Sequence, residues 1–263
     1  MSEWAGYVID DFRFEFAAGS RVLDLGCGEG AQISAMLTDQ GVWACGIDLS
    51  TVALKTCRKR NVDVVQGLGE RLPFLTESFD GVICKVVLPY TDERATISEI
   101  GRVLRLGGTA CVVSHGAGYY LRYLLQPPKF LNRIYAVRTL LNTWLYVWTG
   151  RRLQGFLGDS LYQSRRRLLR YYGAAGLKLV REFPSQKYLG RPVFLYDQVK
   201  KISRRQPKFL KVKSINKWVA EVCSDNQKRE AIKDYKVRWN PTPQRNHTRR
   251  INGHLDWVSC STQ

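Results

Sequence analysis

A chain of 263 residues, 44% of them hydrophobic, is long enough to bury the core of one large domain, which excludes a wholly disordered protein. The net charge of +18 is unevenly spread: residues 1–115 hold 11 Lys/Arg against 15 Asp/Glu, whereas residues 116–263 hold 30 against 8. Such a basic half is typical of contact with phosphate, an anionic membrane or an acidic substrate, and equally of a solvated surface without a partner.

The first residues, the apolar stretches and the cysteines together predict a cytoplasmic protein. Met1–Trp4 do not resemble a secretory signal, and the longest apolar stretch, Thr139–Gly150, is too short to span a bilayer. The seven cysteines form neither a CxxC pair nor a metal-ligand spacing with the three histidines. We therefore expect reduced thiols and no metal site.

Short apolar runs alternate with helical patterns through the first half of the chain. The predicted strands are Val22–Leu25, Trp43–Ile47, Val62–Gln66, Gly81–Val87 and Thr109–Ser114. The predicted helices are Ala31–Asp39, Ser50–Lys59 and Asp92–Val103, and Gly107-Gly108 is predicted to turn the last helix into strand five. This rhythm predicts an α/β fold with a doubly wound, mostly parallel sheet.

The rhythm breaks after strand five and then returns. Residues 119–125 and Phe130–Trp148 are predicted to be amphipathic helices of an insertion, residues 119–157, that covers an acceptor pocket as a lid, with a packing insertion or a dimer contact as the alternative. A basic helix at Leu161–Tyr172 and strands at Leu177–Glu182 and Val193–Val199 complete a domain over residues 1–200. Residues 201–263 carry 15 Lys/Arg against 5 acids and form a basic tail, predicted to be loosely attached.

A glycine-rich turn follows the first predicted strand. Gly26, Gly28 and Gly30 allow the backbone to approach a ligand closely, and the helix that follows presents free N–H groups. Asp48 ends the second strand, where a carboxylate can accept hydrogen bonds from a ribose diol. This spacing also fits a dinucleotide-binding turn.

Asp24 separates the two alternatives. A dinucleotide enzyme usually continues the apolar strand at this position, and Asp24 together with Glu29 would repel a pyrophosphate. A sulfonium nucleoside carries positive charge and no phosphate, so an acidic rim suits it. The residues therefore favour S-adenosylmethionine over a nicotinamide cofactor.

Motifs in the same order resemble those of class I S-adenosylmethionine-dependent methyltransferases. They lie at Val22–Gly30, Gly46–Ser50, Glu70–Phe74 with Ser78–Asp80, and Arg102–Gly108. The resemblance is greatest to the branch containing ubiquinone and menaquinone methyltransferases. It implies a seven-stranded Rossmann-like sheet whose last strand is antiparallel, with a helical insertion after strand five.

The resemblance also implies a cofactor site. Asp24, Gly26 and Gly28 would surround the methionine end, Asp48 would bind the ribose, and Leu49 would pack against the adenine. An acid that usually reads the adenine amino group is replaced by Leu68, which leaves the Gly69 N–H to contact the ring, and Leu106 replaces a usual proline. The complete set of candidate cofactor residues is Asp24, Gly26, Cys27, Gly28, Gly30, Asp48, Leu49, Gly69, Glu70 and Lys85.

Candidate bases lie after strands four and five, where such sheets bind ligands. His115 has the side chain whose ordinary pKa is nearest neutrality, although a surface or supporting histidine fits its position equally well. Tyr90 is the second candidate, with packing as the simpler interpretation, and Asp92 is interpreted as a helix N-cap.

The aromatic insertion favours a bulky or lipid-like acceptor such as a quinone, polyketide or lipid-linked glycan, with peripheral attachment to a membrane as a further hypothesis. Two alternatives remain open. The basic half, including Arg165–Arg167, would suit an RNA methyltransferase, although Lys85–Tyr90 does not resemble the tetrapeptide typical of nucleic-acid enzymes. A non-catalytic relative that only binds the cofactor is the other alternative.

Overall fold

The protein is described here by a computed structural model that covers residues 14–34, 41–151 and 160–204. The strands are β1 Arg21–Leu25, β2 Trp43–Asp48, β3 Val64–Gln66, β4 Phe79–Lys85, β5 Leu104–His115, β6 Leu177–Phe183, β7 Lys187–Tyr188, β8 Arg191–Pro192 and β9 Phe194–Lys201. The helices are α1 Thr51–Lys59, α2 Glu93–Val103, α3 Ala117–Leu125, α4 Phe130–Thr149 and α5 Arg165–Ala174, with a 3₁₀ turn at Leu88–Tyr90. Residues 31–34 are also helical, and the remainder of the helix predicted at Ala31–Asp39 lies outside the described residues.

Seven strands form one sheet in the order β3-β2-β1-β4-β5-β9-β6. The pairs from β3 to β5 are parallel, and β9 is antiparallel to both of its neighbours. The predicted fold is therefore confirmed, including the antiparallel last strand. β7 and β8 form a separate two-stranded hairpin.

Helices cover both faces of the sheet. On one face, side chains from α1, α3 and α4 pack with Val22 and Ile83; on the other, α2 and α5 pack with Leu23 and Val82. Successive strand residues point to opposite faces, so one strand supplies both cores. This arrangement leaves the carboxyl ends of β1, β2, β4 and β5 together along one edge of the sheet.

Several predicted boundaries were wrong. β4 ends at Lys85 and not at Val87, because Val86 adopts a left-handed backbone conformation (φ 59°) that turns the chain out of the sheet. β5 begins at Leu104 and not at Thr109. Gly107 (φ 84°) lies within an irregular part of this strand, so Gly107-Gly108 does not form a separate turn before it. The basic helix begins at Arg165 and not at Leu161.

The segment between β3 and β4 is clamped to α2. Glu99 Oε2 accepts a hydrogen bond from the Leu72 N–H at 2.7 Å, and Arg102 donates to the carbonyls of Leu72 and Phe74 at 2.9 and 2.7 Å. Glu99 and Arg102 also form an ion pair at 2.7 Å. The segment at Leu72–Phe74 is thus held against the C-terminal half of α2.

The basic run on α5 faces largely inward. Arg165 forms ion pairs with Asp197 and Glu182, and Arg167 is buried in an ion pair with Glu93. Only Arg166 of the three is exposed. The hypothesis that Arg165–Arg167 together present a nucleic-acid surface is therefore not supported, because two of the three guanidinium groups stabilise the domain. The basic tail lies outside the described residues beyond residue 204.

Candidate active site

The glycine-rich turn forms a tight elbow at the end of β1. The Gly26 N–H donates to the Ile47 carbonyl at 2.7 Å, which ties the elbow to β2, and Gly26 has a φ of 74° that side chains disfavour. A Cβ atom at Gly26 would lie 2.2 Å from Val87 Cγ2. The left-handed turn at Val86 therefore brings the end of β4 directly against the elbow, and only glycine fits between them.

Asp48 joins the elbow to the end of β2. Its two carboxylate oxygens accept hydrogen bonds from the Gly28 N–H and the Ser50 N–H, each at 2.8 Å. A Cβ atom at Gly28 would meet nothing within 4 Å, so an open backbone surface faces outward here. Each carboxylate oxygen can accept a further hydrogen bond, which makes this arrangement fit a ribose diol.

Asp24 lies beneath the elbow with 3% of its surface exposed. Burial raises its pKa to about 7 and the Asp48 carboxylate adds to the rise, while the Lys85 ammonium opposes it. A carboxyl group held in this condition gains strongly from an added cation, because the cation offsets the cost of burying the charge. The site thus fits the ammonium group of a methionine moiety.

Cys27 and Cys57 pack closely against Gly46 and Gly30 beneath the elbow. A Cβ at Gly46 would lie 2.5 Å from Cys27 Sγ, and one at Gly30 would lie 2.9 Å from Cys57 Sγ. Cys57 Sγ also donates to the Gly28 carbonyl at 3.2 Å, and burial raises the pKa of the Cys27 thiol. The side chain of Cys27 therefore packs inward, which leaves its backbone to face a ligand.

The remaining predicted cofactor residues have different surroundings. The Leu49 carbonyl accepts from Gln66 Nε2 at 3.2 Å, which ties the end of β3 to the loop after β2. Gly69 packs closely between β1 and α2, since a Cβ there would lie 3.3 Å from side chains of both. Glu70 Oε1 accepts a hydrogen bond from the Asp92 N–H at 2.9 Å, so this carboxylate positions the start of α2.

His115 is the last residue of β5 and is buried, with 5% of its surface exposed. Its ring stacks on Tyr119 of α3, with ring centroids 4.0 Å apart and planes 6° apart, and Tyr120 stands edge-on to it. Burial lowers the pKa of His115 to about 4, so the imidazole is neutral at physiological pH. Its Nδ1 atom is buried and has no hydrogen-bond partner in the described part of the chain.

His115 contacts Tyr119 and Tyr120, which connect to further tyrosines, and we call this connected set the tyrosine shell: Tyr90, Tyr119, Tyr120, Tyr123, Tyr135 and Tyr162. Tyr119 contacts Tyr123 at 4.5 Å between ring centroids, and Tyr120 contacts Tyr162 at 5.4 Å. Tyr90 ends the 3₁₀ turn after β4 with 46% of its surface exposed and hydrogen-bonds Tyr135; partial burial, followed by this neighbour, raises its pKa. An ionised Tyr90 is therefore disfavoured as a base.

Asp92 is confirmed as the N-cap of α2. Its Oδ1 atom accepts from the Arg94 and Ala95 N–H groups at 3.0 and 3.1 Å. Sequence reasoning missed Gly46, Cys57 and Val87. Gly46 could have been suspected from its place two residues before Asp48, whereas the contact between Val87 and the elbow depends on a backbone turn for which the sequence gives no signal.

The sheet order and the elbow with its two acids define a Rossmann-like nucleoside-binding domain. The family model described as "Methyltransferase domain" matches residues 23–112. A demethylmenaquinone methyltransferase of Corynebacterium kroppenstedtii is 34% identical over 122 residues, which cover 43% of this chain and 53% of the relative. A phthiotriol/phenolphthiotriol dimycocerosates methyltransferase of Mycobacterium tuberculosis is 38% identical over 96 residues, covering 34% and 36%.

The fold of a solved structure agrees with these matches. An S-adenosylmethionine-dependent methyltransferase from Mesorhizobium loti superposes with a TM-score of 0.53 at 17% identity, over 72% of this chain and 94% of the other. The match spans 53% of the length of the first of these two relatives and 36% of the length of the second. Residues 23–112 thus match the methyltransferase family model, and the described residues share the fold of the solved methyltransferase.

Proposed function

We propose that the protein transfers a methyl group from S-adenosylmethionine to a hydroxylated aromatic acceptor of the quinol type. The observation that carries this proposal is the neutral His115 with an unpartnered Nδ1 inside an aromatic shell. The name of one relative, a demethylmenaquinone methyltransferase, supports a quinol acceptor, and the name of the other, a phthiotriol/phenolphthiotriol dimycocerosates methyltransferase, supports a lipid-like acceptor.

In this proposal the cofactor end is held by the elbow. Asp24 binds the ammonium group, the backbone of Gly26 and Gly28 lies against the methionine moiety, and Asp48 accepts hydrogen bonds from the ribose. Leu49 packs against the adenine, and the Gly69 N–H reaches its ring. The bound cofactor supplies an electrophilic methyl group.

The tyrosine shell binds the acceptor in this proposal. Aromatic faces bind a flat ring by offset stacking and keep water away from it. His115 Nδ1 accepts a hydrogen bond from an acceptor hydroxyl, which fixes the position of the attacking atom. Because its pKa is about 4, His115 is a weak proton acceptor at neutral pH. Its role in this proposal is therefore to position the hydroxyl.

The acceptor class is tested by incubating the purified protein with methyl-labelled cofactor and three separate acceptors: a short-chain demethylnaphthoquinol, a phenolic lipid and total RNA. We expect the label in the quinol. Label in RNA alone would reverse the choice of acceptor, and no transfer to any of the three, with the cofactor bound, would favour the non-catalytic alternative.

Replacing His115 by phenylalanine is expected to lower kcat for the quinol about a hundredfold, because the hydroxyl loses its positioning partner. Cofactor affinity should not change, since Asp24 and Asp48 are untouched. A His115→Asn variant keeps a hydrogen-bond acceptor and should recover part of the rate. Equal kcat in the wild type and the phenylalanine variant would contradict the role of His115.

The same variant gives a second readout in the pH dependence of stability. Because burial lowers the pKa of His115 to about 4 from an ordinary 6.5, the unfolded chain binds a proton first as the pH falls. Wild-type stability should drop by about 2 kcal/mol from this group between pH 7.5 and pH 5. His115→Phe should lose that much less over the same interval, as measured by urea unfolding at both pH values.

A further inference from the structure

Helix α4 packs against the domain with a largely polar side and exposes an apolar side. The side facing the domain carries Ala136, Thr139, Asn142 and Thr143, all buried. Thr139 Oγ1 lies 3.0 Å from Ser160 Oγ, Asn142 Nδ2 donates to the Ser160 carbonyl at 3.3 Å, and Thr143 Oγ1 accepts from the Tyr162 N–H at 2.7 Å. Polar side chains therefore help to attach this helix to the domain, beside the packed Ala136 and Tyr135.

The opposite side of α4 is apolar and open to solvent; we call it the outer face. It consists of Phe130, Ile134, Val137, Leu141, Trp144 and Trp148, which are 39–75% exposed. These residues recur every three or four positions, so they lie along one side of a 20-residue helix. A continuous exposed apolar surface of this kind is typical of a docking site.

The basic residues around the outer face favour an anionic partner. Residues 116–158 contain six Lys/Arg and no Asp/Glu, and both Lys129 and Arg133 are exposed beside the apolar stripe. A second copy of this chain would bring the same basic rim against it, and like charges would repel. An anionic lipid surface instead supplies acyl chains for the stripe and negative headgroups for the rim, with the two tryptophans at the interface.

We propose that the outer face of α4 docks on an anionic membrane, with the helix lying in the plane of the interface. Among the described helices, none is long and apolar enough to cross a bilayer. Tyr135 on the same helix belongs to the tyrosine shell, so docking would bring that shell close to lipid-soluble molecules. The proposal does not depend on methyl transfer.

Vesicle flotation of the full chain tests this proposal, with phosphatidylcholine vesicles and with phosphatidylcholine–phosphatidylglycerol vesicles. We expect binding to the anionic vesicles, and the triple variant Leu141→Gln, Trp144→Gln, Trp148→Gln should lower the partition coefficient about a hundredfold. The matched control changes three other exposed apolar residues, Val52, Leu75 and Leu189, to glutamine and should bind like the wild type.

A second pair of substitutions tests the charged rim. Lys129→Gln with Arg133→Gln should weaken binding to the anionic vesicles about twentyfold and leave the weak binding to neutral vesicles unchanged. Cofactor binding by each variant confirms that it is folded. Equal binding of the wild type and the α4 triple variant would overturn the proposal, since another part of the chain would then carry the binding. A dimer that dissociates only in the triple variant, without vesicle binding, would overturn it in favour of self-association.

Discussion

Replacing Asp24 by asparagine is expected to weaken S-adenosylmethionine binding by about a hundredfold or more, because the ammonium group would lose a buried counter-charge. The same change should stabilise the cofactor-free protein. An asparagine side chain has nearly the same shape as that of Asp24 and cannot ionise, so the cost of a charge buried at 3% exposure disappears. Isothermal titration calorimetry and thermal unfolding measure the two effects on one preparation.

The direction of the stability change follows from the pKa. Burial raises the pKa of Asp24 from 3.8 to about 7, so the unfolded chain releases this proton at lower pH than the folded chain does. The penalty therefore grows as the pH rises from about 4 to 7, and the variant should be more stable than the wild type by about 2 kcal/mol at pH 5 and about 4 kcal/mol at pH 8. Asp63→Asn, at an exposed site, is the control and should change neither stability nor affinity. Unchanged affinity in the Asp24 variant would refute its role at the site.

Replacing Gly26 by alanine should remove cofactor binding and destabilise the domain by about 3 kcal/mol, from a strained left-handed backbone together with a steric clash. The clash has one identified partner, since the new Cβ would lie 2.2 Å from Val87 Cγ2. Thermal unfolding should show a midpoint lower by about 10 °C. Cofactor titration on the same sample shows whether the elbow still binds.

Two comparisons separate strain from collision. Gly19 also has a positive φ (77°), but a Cβ added there would meet no atom within 4 Å, so Gly19→Ala should cost only about 1 kcal/mol. Val87→Ala should destabilise the wild type yet stabilise the Gly26→Ala variant, because the clashing methyl group is gone. If Val87→Ala has the same sign in both backgrounds, the elbow does not pack against β4 as described.

The sheet and the elbow could be predicted because their signals are local. Glycines at fixed spacing after an apolar strand, with an acid at the end of the next strand, specify a turn whatever surrounds it. The pairing of Asp48 with the Gly28 N–H follows from that order, since β1 and β2 are neighbours in parallel. Asp92 was predictable for the same reason, because an N-cap depends only on the three residues that follow it.

The remaining features depend on tertiary contacts. Val86 has a β-branched side chain that disfavours a positive φ, so propensity predicted that β4 would continue. His115 was expected either to face the acceptor or to be a surface or supporting histidine. Its burial by stacking on Tyr119 could not be predicted, because that contact joins two separate elements. For α4, the apolar pattern predicted a helix, but not which side packs inward. Hydrogen bonds made by Thr139, Asn142 and Thr143 hold its polar side against the domain.

Calorimetric titration of the purified chain with S-adenosylmethionine and, separately, with NAD is the most direct test of the site. Asp24 and Asp48 should select the cationic nucleoside, and its affinity should fall about tenfold per pH unit below pH 7, because binding requires the ionised form of Asp24. NAD should give no binding heat. Saturable NAD binding that the Asp24→Asn change leaves intact, with no binding of S-adenosylmethionine, would contradict the account.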